Sequence, residues 1–80
     1  MKLWLVRKKN GLINSPWRGV YDCTNGLVIR ATNERAARAI AAESHGDEGA
    51  QAWTDASLST CEPLTASGES ELILRDFHAG

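Results

Sequence analysis

The chain has 80 residues, 42% hydrophobic and 24% charged, with a formal net charge of −1. That describes one folded domain (residues 1–80) with a single modest core, above the low-hydrophobicity regime of disorder and too small for a deep cleft closed by a second lobe. No apolar run approaches the roughly 20 residues that cross a bilayer, and Met1-Lys2-Leu3-Trp4-Leu5-Val6 runs straight into Arg7-Lys8-Lys9, so neither a membrane span nor a secretory leader is expected, and the expected location is the cytoplasm.

Lys2 to Arg7 alternates Leu3 and Leu5 with Trp4 and Val6, which predicts a strand covered on both faces and central in its sheet. Lys8-Lys9-Asn10-Gly11 is a turn signal and Pro16 argues against a regular strand, so residues 8–20 read as a long surface loop. Tyr21-Asp22-Cys23 can open a strand that Asn25-Gly26 interrupts, and Leu27 to Ala31 is the second strand.

Thr32 or Asn33 then offers an oxygen to cap a helix whose first turn carries Glu34. Ala36, Ala37, Ile40 and Ala41 predict its inner face, with Ile40 the anchor and the alanines spacers, while Glu34 and Arg38 form an i,i+4 pair outside. Gly46 is the expected stop. Residues 44–57 make an acidic connection pinned by Trp53, and Leu58 to Leu64 is a third strand that Pro63 places near an edge. After a turn at 65–70, Glu71 to Phe77 has apolar residues on both sides and predicts a fourth strand.

The expected fold class is therefore α+β: a small β-β-α-β-β domain with a mostly antiparallel sheet and one helix packed on one face. The other face would stay open to water, to a partner or to a second copy of the chain in a homodimer, and is the first place to look for function.

Few residues carry the marks of chemistry. His45-Gly46-Asp47-Glu48 sets an imidazole beside two carboxylates, but a glycine-broken acidic loop after a helix reads first as a solvated helix end. Cys23 and Cys61 are expected as free thiols in a cytoplasmic protein, and neither has ligand spacing to His45 or His78. The glycines match no phosphate-binding loop. The expectation is a protein without enzymatic activity, metal or cofactor.

Charge is distributed unevenly. Residues 1–22 carry Lys2, Arg7, Lys8, Lys9 and Arg18 against Asp22, whereas residues 43–80 carry eight acids against Arg75. An acidic half offering Asp47, Glu48, Asp55, Glu62, Glu69 and Glu71, with Trp53 among them, predicts a surface for a protein partner. Trp17 and Arg18 are the other candidate anchor, because a large indole in a loop either folds back on the core or enters a partner. The alternative is nucleic acid, held by Arg7, Lys8, Lys9 and Arg18 with Trp4, Trp17 and Tyr21 close in sequence; a pI of about 6.1 requires that attraction to be local.

Met1 to Arg7, the segment from Val28-Ile29-Arg30-Ala31 to Glu34-Arg35-Ala36-Ala37-Arg38, and the terminal Leu72-Ile73-Leu74-Arg75-Asp76-Phe77-His78-Ala79-Gly80 resemble a group of short uncharacterised proteins of phages and prophages. The chain departs from that group around Pro16-Trp17. The resemblance implies one of two binding roles. One is an accessory inhibitor of a host defence complex in the manner of anti-CRISPR proteins, where acidic surface occupies a basic channel; the other is a minor component of phage replication or assembly.

Overall fold

The computed structural model describes residues 1–76 and has the order β1 (Lys2–Lys8), β2 (Gly26–Ala31), α1 (Glu34–Glu43), α2 (Gln51–Thr54) and β3 (Ser59–Pro63). The three strands form one antiparallel sheet in the order β2-β1-β3, which makes the first strand central as its alternation predicts. Trp4 pairs with Ile29, Leu5 with Val28 and Val6 with Leu27 on one side; Leu5 pairs with Glu62 and Val6 with Cys61 on the other. Residues directly opposite share a face, so Trp4, Val6, Leu27, Ile29, Ala31 and Cys61 turn inward, while Leu3, Leu5, Arg7, Val28, Arg30 and Glu62 turn outward.

The inner face packs on α1. Asn33 is the N-cap, its Oδ1 accepting from the Ala36 N–H at 2.9 Å, and the buried side of the helix is Ala37, Arg38 and Ala41. This corrects the expected helix face: Ile40 is 42% exposed, and Arg38, expected outside, is buried. Two alanines let the helix approach the sheet closely, and that approach brings a guanidinium within reach of backbone acceptors that would otherwise be unpaired. Arg38 donates to Trp53 O (2.8 Å), Ser59 Oγ (2.9 Å), Ser59 O (3.0 Å) and Glu34 Oε2 (2.8 Å). Its five donors in a rigid fork suit such a position in a way one ammonium does not.

Trp4, Val6, Ile29, Ala31, Ala37, Ala41, Ala52, Trp17 and Trp53 form one core. The connection over 44–57 is more ordered than its composition predicts, since α2 lies inside it and buries Ala52 and Trp53. Tyr21 to Cys23 is not a strand; Asp22 instead exchanges backbone and side-chain bonds with Asp47.

Of the expected fourth strand, residues 71–76 have no strand structure, and Phe77 lies outside the described residues. The segment lies against the outer face of the sheet instead. Arg7 Nη1 donates to Ile73 O at 3.2 Å, Leu74 lies against Gly26, and Leu72 and Ile73 border the same depression as Leu5, which is only 3% exposed. The free side of β3 offers only an interrupted ladder: the Ser59 carbonyl is taken by Arg38, its N–H donates to Asp55 O, and Pro63 has no N–H, which leaves Cys61 alone between them. Apolar residues on both sides of the segment therefore serve a strap across a face. The resulting fold is α+β with a β-β-α-α-β order.

Candidate functional site

The tryptophans expected at an interface are in the core. Trp17 and Trp53 meet edge to face, centroids 5.2 Å apart and planes at 84°. Trp17 Nε1 donates to Thr24 O at 2.7 Å, which fastens the long loop to the start of β2. Trp53 Nε1 donates to Glu48 Oε2 at 2.8 Å. Glu48 is buried too, and also accepts from the Gly46 N–H (2.9 Å) and, at Oε1, the Thr24 N–H (2.9 Å). Burial pushes this carboxyl up, but the Trp53 indole and the Thr24 and Gly46 amides outweigh it and hold it below the ordinary glutamate range. Trp17, Trp53 and Glu48 are thus joints of the fold and contribute no exposed surface.

The remaining acidic candidates are not brought together. Asp47 accepts from the Asp22 N–H at 3.3 Å, and Asp55 accepts from the Ser57 hydroxyl (2.6 Å) and N–H (2.8 Å), bonds that lower its carboxyl. Glu62 pairs with Arg7 at 2.8 Å on the outer face of the sheet. Glu69 and Glu71 are exposed in the segment beyond β3. Arg7, one of the basic candidates, is therefore on the opposite side of β1 from Lys8.

The other three basic candidates do meet. Lys8, Lys9 and Arg18 border one shallow depression of about 290 Å³ together with Asn10, Gly11, Leu12, Ser15 and the edge of Trp17. Lys9 Nζ donates to Ala56 O at 2.8 Å and Arg18 Nη1 to Ile13 O at 3.0 Å, so each cation is partly fixed by the fold.

His45 lies on the surface with Nδ1 2.8 Å from Gly46 O. Both cysteines are free and half-buried; burial raises each thiol, helped at Cys23 by the charge of Glu48. Among the described residues no group of His, Cys, Asp and Glu side chains is arranged to hold a metal ion, and no helix is long and apolar enough to cross a membrane.

The outer face of the sheet keeps large apolar side chains in water. Leu3 (39% exposed) and Val28 (49%) sit diagonally across the β1-β2 pair, next to Leu5, and Leu72 (76%) and Ile73 (37%) of the strap border the depression that Leu5 lines. Arg30, Arg7, Glu62 and Glu71 surround these residues. The alternation of Leu3 with Trp4 and of Val28 with Ile29 signals such a face in the sequence; the crossing of the strap over Leu5 has no local signal. Against this geometry, no protein family, no curated protein and no solved structure matches the chain.

Proposed function

We propose that the chain is a small accessory domain that binds a protein partner through the outer face of its sheet, with Leu3, Val28, Leu72 and Ile73 as the apolar centre and Arg7, Arg30, Glu62 and Glu71 as the charged rim. The observation that carries the reading is the exposure of Leu3 and Val28 together on paired strands, either side of Leu5, with the exposed Leu72 bordering the depression at Leu5. An apolar centre within a polar rim is the usual anatomy of a protein interface. The resemblance to phage and prophage proteins supports a host defence complex, inhibited by occupation of its surface, or the phage replication or assembly machinery as the class of partner. A route through the acidic half is less favoured, because Glu48 is buried in bonds to Trp53, Thr24 and Gly46, and Asp47 and Asp55 are each engaged by neighbouring surface donors.

The second reading, nucleic acid, rests on the shared depression of Lys8, Lys9 and Arg18. One experiment separates the two: capture on the tagged chain from a lysate of its natural host, with and without nuclease, repeated with Leu3→Glu/Leu72→Glu and with Lys8→Glu/Lys9→Glu. The protein-binding reading expects a stoichiometric, nuclease-resistant partner that the first pair of substitutions releases and the second leaves in place. Loss of everything on nuclease treatment, together with loss in Lys8→Glu/Lys9→Glu, refutes it and favours phosphate contacts with their steep salt dependence.

A further inference from the structure

The hydrogen-bond register leaves one edge of the sheet unused. The Lys8 N–H donates to Asn25 O (3.1 Å) and the Leu64 N–H to Leu3 O (2.9 Å), so even-numbered residues of β1 turn their amides to β2 and odd-numbered ones to β3. In β2 it is Leu27, Ile29 and Ala31 that bond β1, and Val28 and Arg30 turn N–H and C=O away from the sheet. Among the described residues no hydrogen bond reaches those backbone groups. The opposite edge is interrupted on either side of Cys61, by Arg38 at Ser59 and by Pro63. β2 has neither proline nor bulge across its six residues, and an edge of that kind is a template for another strand.

We propose that β2 pairs antiparallel with β2 of a second copy of the chain, centred on Val28, to give one continuous sheet in the order β3-β1-β2-β2-β1-β3. Centring there sets Val28 on Val28 of the second copy and Leu27 on Ile29, apolar against apolar on both faces. Gly26 comes opposite Arg30, whose long side chain would lie along Leu74.

Charge selects the same orientation. β2 starts at an end where Asp22, Asp47 and Glu48, which accepts from the Thr24 N–H, outnumber Lys8, across from Asn25, and Arg75, which borders the same depression as Asn25; Arg7, opposite Gly26, is paired with Glu62. It finishes at a basic end with Arg30, Lys2 opposite Ala31, and Arg35 in the first turn of α1, where Glu34 is already engaged by Arg38. An antiparallel mate lays the basic end of each copy on the acidic end of the other; a parallel mate sets like on like. This pairing uses backbone groups of the edge; Val28, at its centre, also belongs to the outer face, so the test reads self-association of the chain alone with no partner present.

Sedimentation of the full chain from about 1 to 300 µM tests it, since a dimer grows in with concentration by mass action. The wild type is expected to pass from 8.7 kDa to twice that mass. Val28→Lys and Val28→Glu, each placing like charges at the two-fold centre, are expected to raise the dissociation constant at least about tenfold, and an equimolar mixture of the two to restore the dimer. The restoration distinguishes lost pairing from lost folding. A wild type that stays at 8.7 kDa throughout overturns the proposal and leaves the edge to an extended strand of another protein; so do variants that dimerise like the wild type, or a mixture that does not recover.

Discussion

Glu48→Gln keeps the shape of the buried carboxylate and removes its charge, which isolates what three neutral donors gain from an anion. Thr24 N–H bonds Oε1, while Gly46 N–H and Trp53 Nε1–H share Oε2. A glutamine oxygen placed at the Oε2 position leaves its amide group facing the Thr24 N–H, donor against donor; the reverse rotamer orphans the other two. One buried amide loses its partner and two charge-assisted bonds become neutral. With bonds to charged groups worth about 1.5–3 kcal/mol and neutral ones about 0.5–1.5, the expected loss is about 3 kcal/mol. A domain of this length is stable by roughly 4–12 kcal/mol, so the variant should melt about 12–24 °C lower. Urea titration followed by tryptophan fluorescence measures the difference. Because the folded-state carboxyl is held below the ordinary glutamate range, the unfolded chain takes up this proton first as pH falls. The stabilisation is full above about pH 4.3 and is lost as pH drops through the folded value, so the acid limb of stability should be steeper in the wild type than in Glu48→Gln. A change below about 0.5 kcal/mol, or superimposable acid limbs, refutes the reasoning.

Two further substitutions probe the other joints. Arg38→Lys retains the charge but cannot span Trp53 O, both Ser59 oxygens and Glu34; it should cost about 2–4 kcal/mol, whereas Glu34→Gln, whose side chain is 50% exposed, should cost under about 0.5 kcal/mol, and equal losses in urea titration would deny Arg38 its role as a bridge. Gly46→Ala drives a β-carbon into the backbone of Asp22 and Cys23 and should cost more than about 2 kcal/mol, against about 1 kcal/mol for Gly49→Ala, where a positive φ meets open space; thermal melts that rank them the other way would contradict the close approach of the two loops.

What the sequence makes legible is local. Strand alternation at Lys2 to Arg7, the Asn33 cap and the Pro63 edge signal depend on neighbours two to four residues apart, and each has its counterpart in the structure. The helix face departs from its periodicity at Arg38 and Ile40 because burial there depends on the acceptors Trp53 O and Ser59 O, contributed from 15 and 21 residues away. The segment 71–76 carries strand-like residues, but it crosses the outer face and joins neither the interrupted β3 edge nor the open β2 edge, and where a segment meets the sheet is a property of the whole fold. Composition leaves Trp17 between core and interface and points Glu48 outward, whereas a loop indole and a loop carboxylate are what this fold needs to satisfy its irregular backbone.

That need explains why net charge misleads in a chain this small. The segments around Asp22, Thr24, Gly46 and Ser57 have amides outside regular structure, and buried or half-buried amides require acceptors. Glu48 supplies two of them from inside the fold, and Asp47 and Asp55 each hold a surface amide, so part of the acidic excess of the second half is committed to local hydrogen bonds. Recognition then falls to the groups the fold leaves unspent. Leu3 and Val28 on the outer face and the Val28 and Arg30 amides on the β2 edge lie on two adjacent strands. Pairing through that edge would bring the outer faces of two copies side by side, with Val28 at the seam. A partner gripping Leu3 and Leu72 of both copies would then hold the dimer together, which makes partner affinity and self-association rise and fall together.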